Sequence, residues 1–180
     1  MFSELLWADY LSQNEADPIR KQYFQEQFFE GKGMIMFVAG PEAVLEQAVY
    51  EGVKRGEINN ADDLDTLTKR VYSQFSIWPQ KHEELKSQWI DIPLMYEDPF
   101  YDLNYVYGGA LALKYYQLYL LSPKKFVRDY IALMANGSNA RPDILLKKFL
   151  DIDLHDPRLV SDAVSVLEAK LKLLEAGYSN

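Results

Sequence analysis

Residues 89–119 read WIDIPLMYEDPFYDLNYVYGGALALKYYQLY and constrain the fold more tightly than any other stretch. Pro93 and Pro99 lack a backbone N–H and restrict the residues before them, so the run opens irregularly. From about Tyr101 the spacing predicts one long helix. It places Tyr101, Tyr105, Gly108/Gly109 and Ala112 on one face, three or four residues apart. Phenols donate hydrogen bonds at neutral pH, and glycine lets another backbone come close, so this face can line a polar groove. Half-buried core packing with tethered hydroxyls explains the same pattern.

The remaining segments carry helical signals too. Ser3–Leu11 has Leu5, Leu6, Tyr10 and Leu11 at helical spacing, with Ser3 as the expected N-cap. Asp17-Pro18 predicts a helix start, followed by Ile19, Tyr23, Phe24, Phe28 and Phe29 at three-to-four spacing. The apolar run Met34–Ala39 is read as the buried middle of a helix, and Pro41 as a kink or a new start. Val44, Leu45, Ala48 and Val49 continue the pattern to a stop near Gly56. Asn60 is the next cap, with Asp62, Asp63 and Asp65 complementing the helix N-terminus. Ser76–Gln80 breaks the pattern before a short helix around residues 82–88. Ser122-Pro123 starts a helix with Phe126, Tyr130, Ile131 and Met134 inward, closed by Asn136-Gly137. Pro142 opens a short helix, and a last one from about Ser161 carries Val164, Leu167, Leu171 and Leu174. The expectation is an all-α, multi-helix domain over residues 1–180, long enough to bury about 70% of its unfolded surface.

Composition narrows the function. Asp and Glu outnumber Lys and Arg by 27 to 19, for a net charge of −8, and the basic residues are scattered. A nucleic-acid partner is not expected from such a chain. Cysteine is absent, which excludes disulfides and thiolate chemistry and suits a reducing compartment. No secretory leader and no apolar run of membrane-spanning length is present, so a cytoplasmic location is expected. His82 and His155 are far apart in sequence; no second His or carboxylate stands four residues after His82, and His155 is read as a surface or capping residue of a connector.

Three stretches in order resemble one family. Phe100-Tyr101-Asp102-Leu103-Asn104-Tyr105 resembles the Tyr-Asp-x-Gln/Asn-Tyr segment of the thimet oligopeptidase / oligoendopeptidase F zinc metallopeptidases. The tail, through Asn136-Gly137-Ser138, Pro142 to Leu146 and Asp151 to Leu154, resembles that family's C-terminal Gly-Ser, Pro-x-x-Leu-Leu and Gly-Val/Ile-Asp pattern. Met1 to Leu6 resembles the segment just after the family's third zinc ligand.

The likeness covers nearly the whole chain but only the family's C-terminal portion. It implies that Tyr101 and Tyr105 are the catalytic phenols, donating to substrate and to the oxyanion. Tyr96, Asp102, Asn104, Tyr107, Gly108 and Gly109 would line the peptide site. The family's zinc is held by His-Glu-x-x-His, in which two imidazoles one turn apart bind metal and the Glu is general base. This chain has no such motif, so no metal ligand and no cofactor are assigned to it. Tyr96 stands where the family has a histidine. The family's third ligand, a Glu, would fall just before Met1.

The resemblance therefore implies the C-terminal part of a peptidase, contributing one wall of a peptide cleft and inactive alone. Its partners would be a peptide substrate or a complementing polypeptide that carries the zinc motif. A non-catalytic peptide-binding or scaffolding subunit, or a degenerate remnant, is the alternative, with homo-oligomerisation covering exposed apolar surface.

Overall fold

The computed structural model describes residues 1–178, without the side chains of residues 32–34. The protein is all-α: among the described residues there are nine α-helices, one 3-10 helix and no strand. The helices are α1 (Phe2–Asn14), α2 (Pro18–Arg55), α3 (Ala61–Tyr72), α4 (Trp78–Lys81), α5 (Leu94–Glu97), α6 (Tyr101–Leu121), α7 (Pro123–Asn136), α8 (Pro142–Leu150) and α9 (Arg158–Tyr178). The 3-10 helix, Glu83–Asp91, lies between α4 and α5. Among the described residues no helix is long and apolar enough to cross a membrane.

Contacts divide the chain into two compact units. One comprises Met1–Lys32 with Gly108–Asn180, and the other Gly33–Tyr107. In the second, Leu45 and Val49 of α2 pack with Leu67 and Val71 of α3 and with Ile92 and Met95. These pairs stand four apart, so each helix offers one continuous apolar strip to the other. Asn60 accepts from the Asp63 N–H at 3.1 Å and caps α3. The Trp89 indole N–H donates to Asp65 Oδ1 at 2.7 Å, and the Ser87 hydroxyl to the same oxygen at 3.0 Å. Asp65 thereby ties the 3-10 segment to α3.

In the first unit, Phe2 of α1 meets Tyr115 of α6 and Phe126 and Tyr130 of α7, with ring centroids 5.4 to 5.7 Å apart. Leu5, Leu113 and Ala163 are fully buried. Lys170 of α9 pairs with the buried Asp9 of α1, its ammonium 4.6 Å from the Phe28 ring centroid.

Most helix limits follow their local signals. The Asp17 carboxylate accepts from the N–H groups of Ile19 and Arg20 at the start of α2. Gly137, at φ 66°, ends α7 in a conformation that L side chains rarely adopt.

Five expectations are corrected. Ser3 lies inside the first turn of α1, because the helix already begins at Phe2 and Met1 precedes it. Ser76–Gln80 contains the start of α4, whose first N–H is met by the Ser76 hydroxyl at 3.2 Å. The last helix begins at Arg158, not near Ser161, since the Asp156 carboxylate accepts from the Arg158 N–H at 2.9 Å. The run from 34 to 39 is helical, but Phe37 and Val38 are exposed, and the Met34 side chain lies outside the described residues. Ile131 and Met134 face outward, because Phe126, Tyr130 and Leu133 (i, i+4, i+7) occupy the inner strip of α7.

Candidate functional site

The first turns of α6 carry the tyrosine pair. Tyr101 and Tyr105 are each 38% exposed, and their rings meet edge to face with centroids 5.4 Å apart. Such a geometry is favoured between aromatic quadrupoles. The Tyr101 phenol, followed by partial burial, pushes the Tyr105 pKa up. Tyr105 therefore stays protonated and able to donate at neutral pH. Tyr96, in α5, is exposed, and burial of its phenol raises its pKa as well. Asn104 and Tyr107 are exposed on the same helix as the pair.

Asp102 is different. It is 3% exposed, where its tyrosine neighbours are each 38% exposed. Gly108 and Gly109 belong to the other compact unit, where a Cβ on Gly108 would lie 3.3 Å from the Met1 Sδ and Gly109 is buried.

What aims the pair is an anchor at the start of α6. Phe100 has φ 63°, a left-handed conformation costly for a bulky residue by about 1–2 kcal/mol. Its N–H donates to Glu46 Oε1 at 2.6 Å. The Tyr50 hydroxyl lies 3.0 Å from that oxygen and also within hydrogen-bond distance of the Met95 carbonyl, so one proton serves two acceptors. The Tyr50 and Phe100 rings pack edge to face at 5.3 Å. A carboxylate at a helix N-terminus is further favoured by the aligned peptide dipoles. Glu46 and Tyr50 thus hold the strained turn from which Tyr101 projects.

Glu46 is part of a buried acidic group. Glu42 stands one turn before it on α2, and Asp102 interacts electrostatically with both. None of the three has a basic partner among the described residues. Among the described residues, Glu46 Oε2 and Asp102 Oδ2 find no hydrogen-bond donor, and the buried Thr68 hydroxyl on α3 likewise has no partner. Burial, then the Asp102 charge, pushes Glu42 up to about 7. Burial, then Glu46, raises Asp102. Burial, then Glu42 and Asp102, raises the Tyr72 phenol. Desolvation disfavours each charged form, and unpaired neighbours of like sign add to it.

Sequence reasoning overlooked Glu42, Glu46, Tyr50 and Tyr72. One signal was available. The neighbours of Glu42 and Glu46 at i±3 and i±4 include no Lys or Arg, only apolar residues, Tyr50 and each other. A surface helix ordinarily pairs such carboxylates.

The residues present do not fit the zinc that the family resemblance implies. Among the described residues no group of three His, Cys, Asp or Glu side chains is placed to hold a metal ion. His82 is exposed with Nδ1 3.2 Å from Glu84 Oε1, and His155 lies in the connector between α8 and α9. Comparison of the chain with models of known families, with curated proteins and with solved structures finds no match.

Proposed function

We propose that this chain supplies one wall of a peptide-binding cleft, in the manner of the C-terminal part of an oligoendopeptidase F-like metallopeptidase, and does not cleave peptides by itself. The observation that carries the reading is the exposed Tyr101–Tyr105 pair at the anchored start of α6. Two phenols set one turn apart can donate to carbonyl oxygens two residues apart, on the same side of an extended peptide. The Glu46–Tyr50–Phe100 contact fixes their direction before a ligand arrives, which lowers the ordering cost of binding. Tyr96 supplies a third exposed phenol close in sequence, and Tyr107 and Asn104 offer further polar contacts along α6. Asp102 contributes from within, as a neighbour of Glu46.

The test is an extended, internally quenched peptide of about nine residues incubated with the purified chain. Binding without chelator-sensitive cleavage is the expected result, with Tyr101→Phe and Tyr105→Phe each weakening binding about 3- to 10-fold through one lost hydrogen bond. Cleavage accompanied by stoichiometric zinc contradicts the proposal. So does binding that neither substitution alters.

A scaffolding role is favoured by one separate observation. Val127, Ile131 and Met134 (i, i+4, i+7) form an exposed apolar strip along α7. Strips of this kind promote association. Sedimentation of wild type and Ile131→Lys decides whether this strip joins copies of the chain.

A further inference from the structure

In the unit formed by Gly33–Tyr107, a groove of about 280 Å³ is lined by Phe37, Val38, Glu42, Tyr72, Trp78 and Asp91, among others. Phe37 and Trp78 are 64% and 55% exposed, large apolar faces held out to solvent. Glu42 and Asp91 line the same space, and among the described residues no Lys, Arg or His does. Glu42 interacts with Asp102 and stands one turn from Glu46, each of which has a buried oxygen with no hydrogen-bond partner among the described residues. Lys81, which is not among the lining residues, holds its ammonium 5.8 Å from the Trp78 ring centroid. A groove lined by exposed aromatic faces and by two carboxyl-bearing residues is matched by a ligand with an apolar stem and a cationic head.

We propose that this groove receives an arginine side chain of a bound peptide, its stem against Phe37 and Trp78 and its guanidinium at Glu42. Guanidinium suits the site better than ammonium for three reasons. It is planar and stacks on aromatic faces, it is weakly hydrated and so cheap to desolvate, and its fork can meet carboxylate oxygens in pairs. No three-ligand arrangement for a metal ion competes for the carboxylates among the described residues. The chain's net charge of −8 adds long-range attraction for a basic peptide. This assignment rests on the peptide-binding reading of Tyr101 and Tyr105, for which it names the side-chain preference.

Binding is also coupled to protonation. Glu42 interacts with Tyr72 of α3 and Asp102 of α6, shares the groove lining with Asp91 of the 3-10 segment, and stands one turn from Glu46 on its own helix. An arriving cation draws Glu42 into its ionised form, so complex formation at pH 7 releases up to about half a proton.

The experiment compares two fluorescent peptides that differ only in carrying arginine or its neutral isostere citrulline. The expected result is roughly tenfold or more tighter binding of the arginine peptide. Glu42→Gln should abolish both that preference and the proton release, measured by calorimetry in two buffers of different ionisation enthalpy. The glutamine is isosteric and removes a desolvated charge, so the variant is expected to fold. Tyr101→Phe and Tyr105→Phe should weaken both peptides alike and leave the ratio unchanged.

Equal affinity for the two peptides, still reduced by the tyrosine variants, overturns the arginine site and leaves the tyrosine wall standing. A preserved arginine preference to which the tyrosines contribute nothing overturns the tyrosine wall instead. Full competition by phenethylguanidine, at the affinity of the peptide itself, overturns a peptide as the occupant.

Discussion

Replacing Glu42 by glutamine should make the protein more stable, and only above mildly acidic pH. Burial and the Asp102 charge push the Glu42 carboxyl from its ordinary 4.5 to about 7. Below the unfolded value both states hold the proton, and nothing is lost. As pH rises from 4.5 towards 7 the unfolded chain ionises while the folded one keeps its proton, so stability falls across that window. Above 7 the full penalty applies. Taken whole, the shift corresponds to about 3 kcal/mol. Glu42 keeps some contact with solvent, which screens its charge and reduces the expected figure to about 1–2 kcal/mol.

Asp102 is shifted in the same direction, by burial and then by Glu46, which the substitution leaves in place. Urea unfolding of wild type and Glu42→Gln at pH 5 and pH 8 reads the effect directly. The variant should gain about 1–2 kcal/mol at pH 8, or a few degrees in Tm, and less than about 0.5 kcal/mol at pH 5. A variant that is neutral or destabilised at pH 8 refutes the reasoning. So does a gain that does not change with pH.

Lys170→Met should cost roughly 3 kcal/mol by leaving the Asp9 carboxylate buried without its cation, and the double variant with Asp9→Asn should recover part of that in chemical denaturation. Gly52→Ala brings a Cβ to 2.6 Å from Ile58 Cδ1, so a loss of about 1–2 kcal/mol is expected, relieved in part by Ile58→Val, which removes that atom. Gly137→Ala should cost about 1–3 kcal/mol through backbone strain at φ 66°, although its Cβ meets no neighbour, and thermal unfolding will show it.

Where a helix begins or ends is decided by backbone chemistry within four residues, and that much could be read from the chain. Asp17-Pro18, Asn60, Ser122-Pro123, Asn136-Gly137 and Pro142 all mark limits that the structure adopts. Asp156-Pro157 is the same signal as Asp17-Pro18 and sets the start of α9 where the leucine stripe alone suggests a later one.

Which face of a helix turns inward was less legible. On α7 the sets Phe126/Tyr130/Leu133 and Val127/Ile131/Met134 have the same period, and only the aromatic contacts with Phe2 choose between them. On α2, Phe37 and Val38 read as core and instead border a groove. The tyrosine pair was visible because both members sit on one helix, four residues apart. The acidic group was not visible as a group, since Glu46 and Asp102 are far apart in sequence and meet only through tertiary packing. Its trace in the sequence is two carboxylates at helical spacing with no basic neighbour.

The central claim is that the start of α6 is a peptide-binding surface, and tyrosine ring spectra test it most directly. The chain has 13 tyrosines, and ¹³C labelling of their rings gives each its own probe. Titration with an extended arginine-containing peptide should shift the resonances of Tyr96, Tyr101 and Tyr105 saturably, while the core rings Tyr115, Tyr116 and Tyr130 stay in place. Shifts confined to those core rings, or no saturable shift at all, would contradict it.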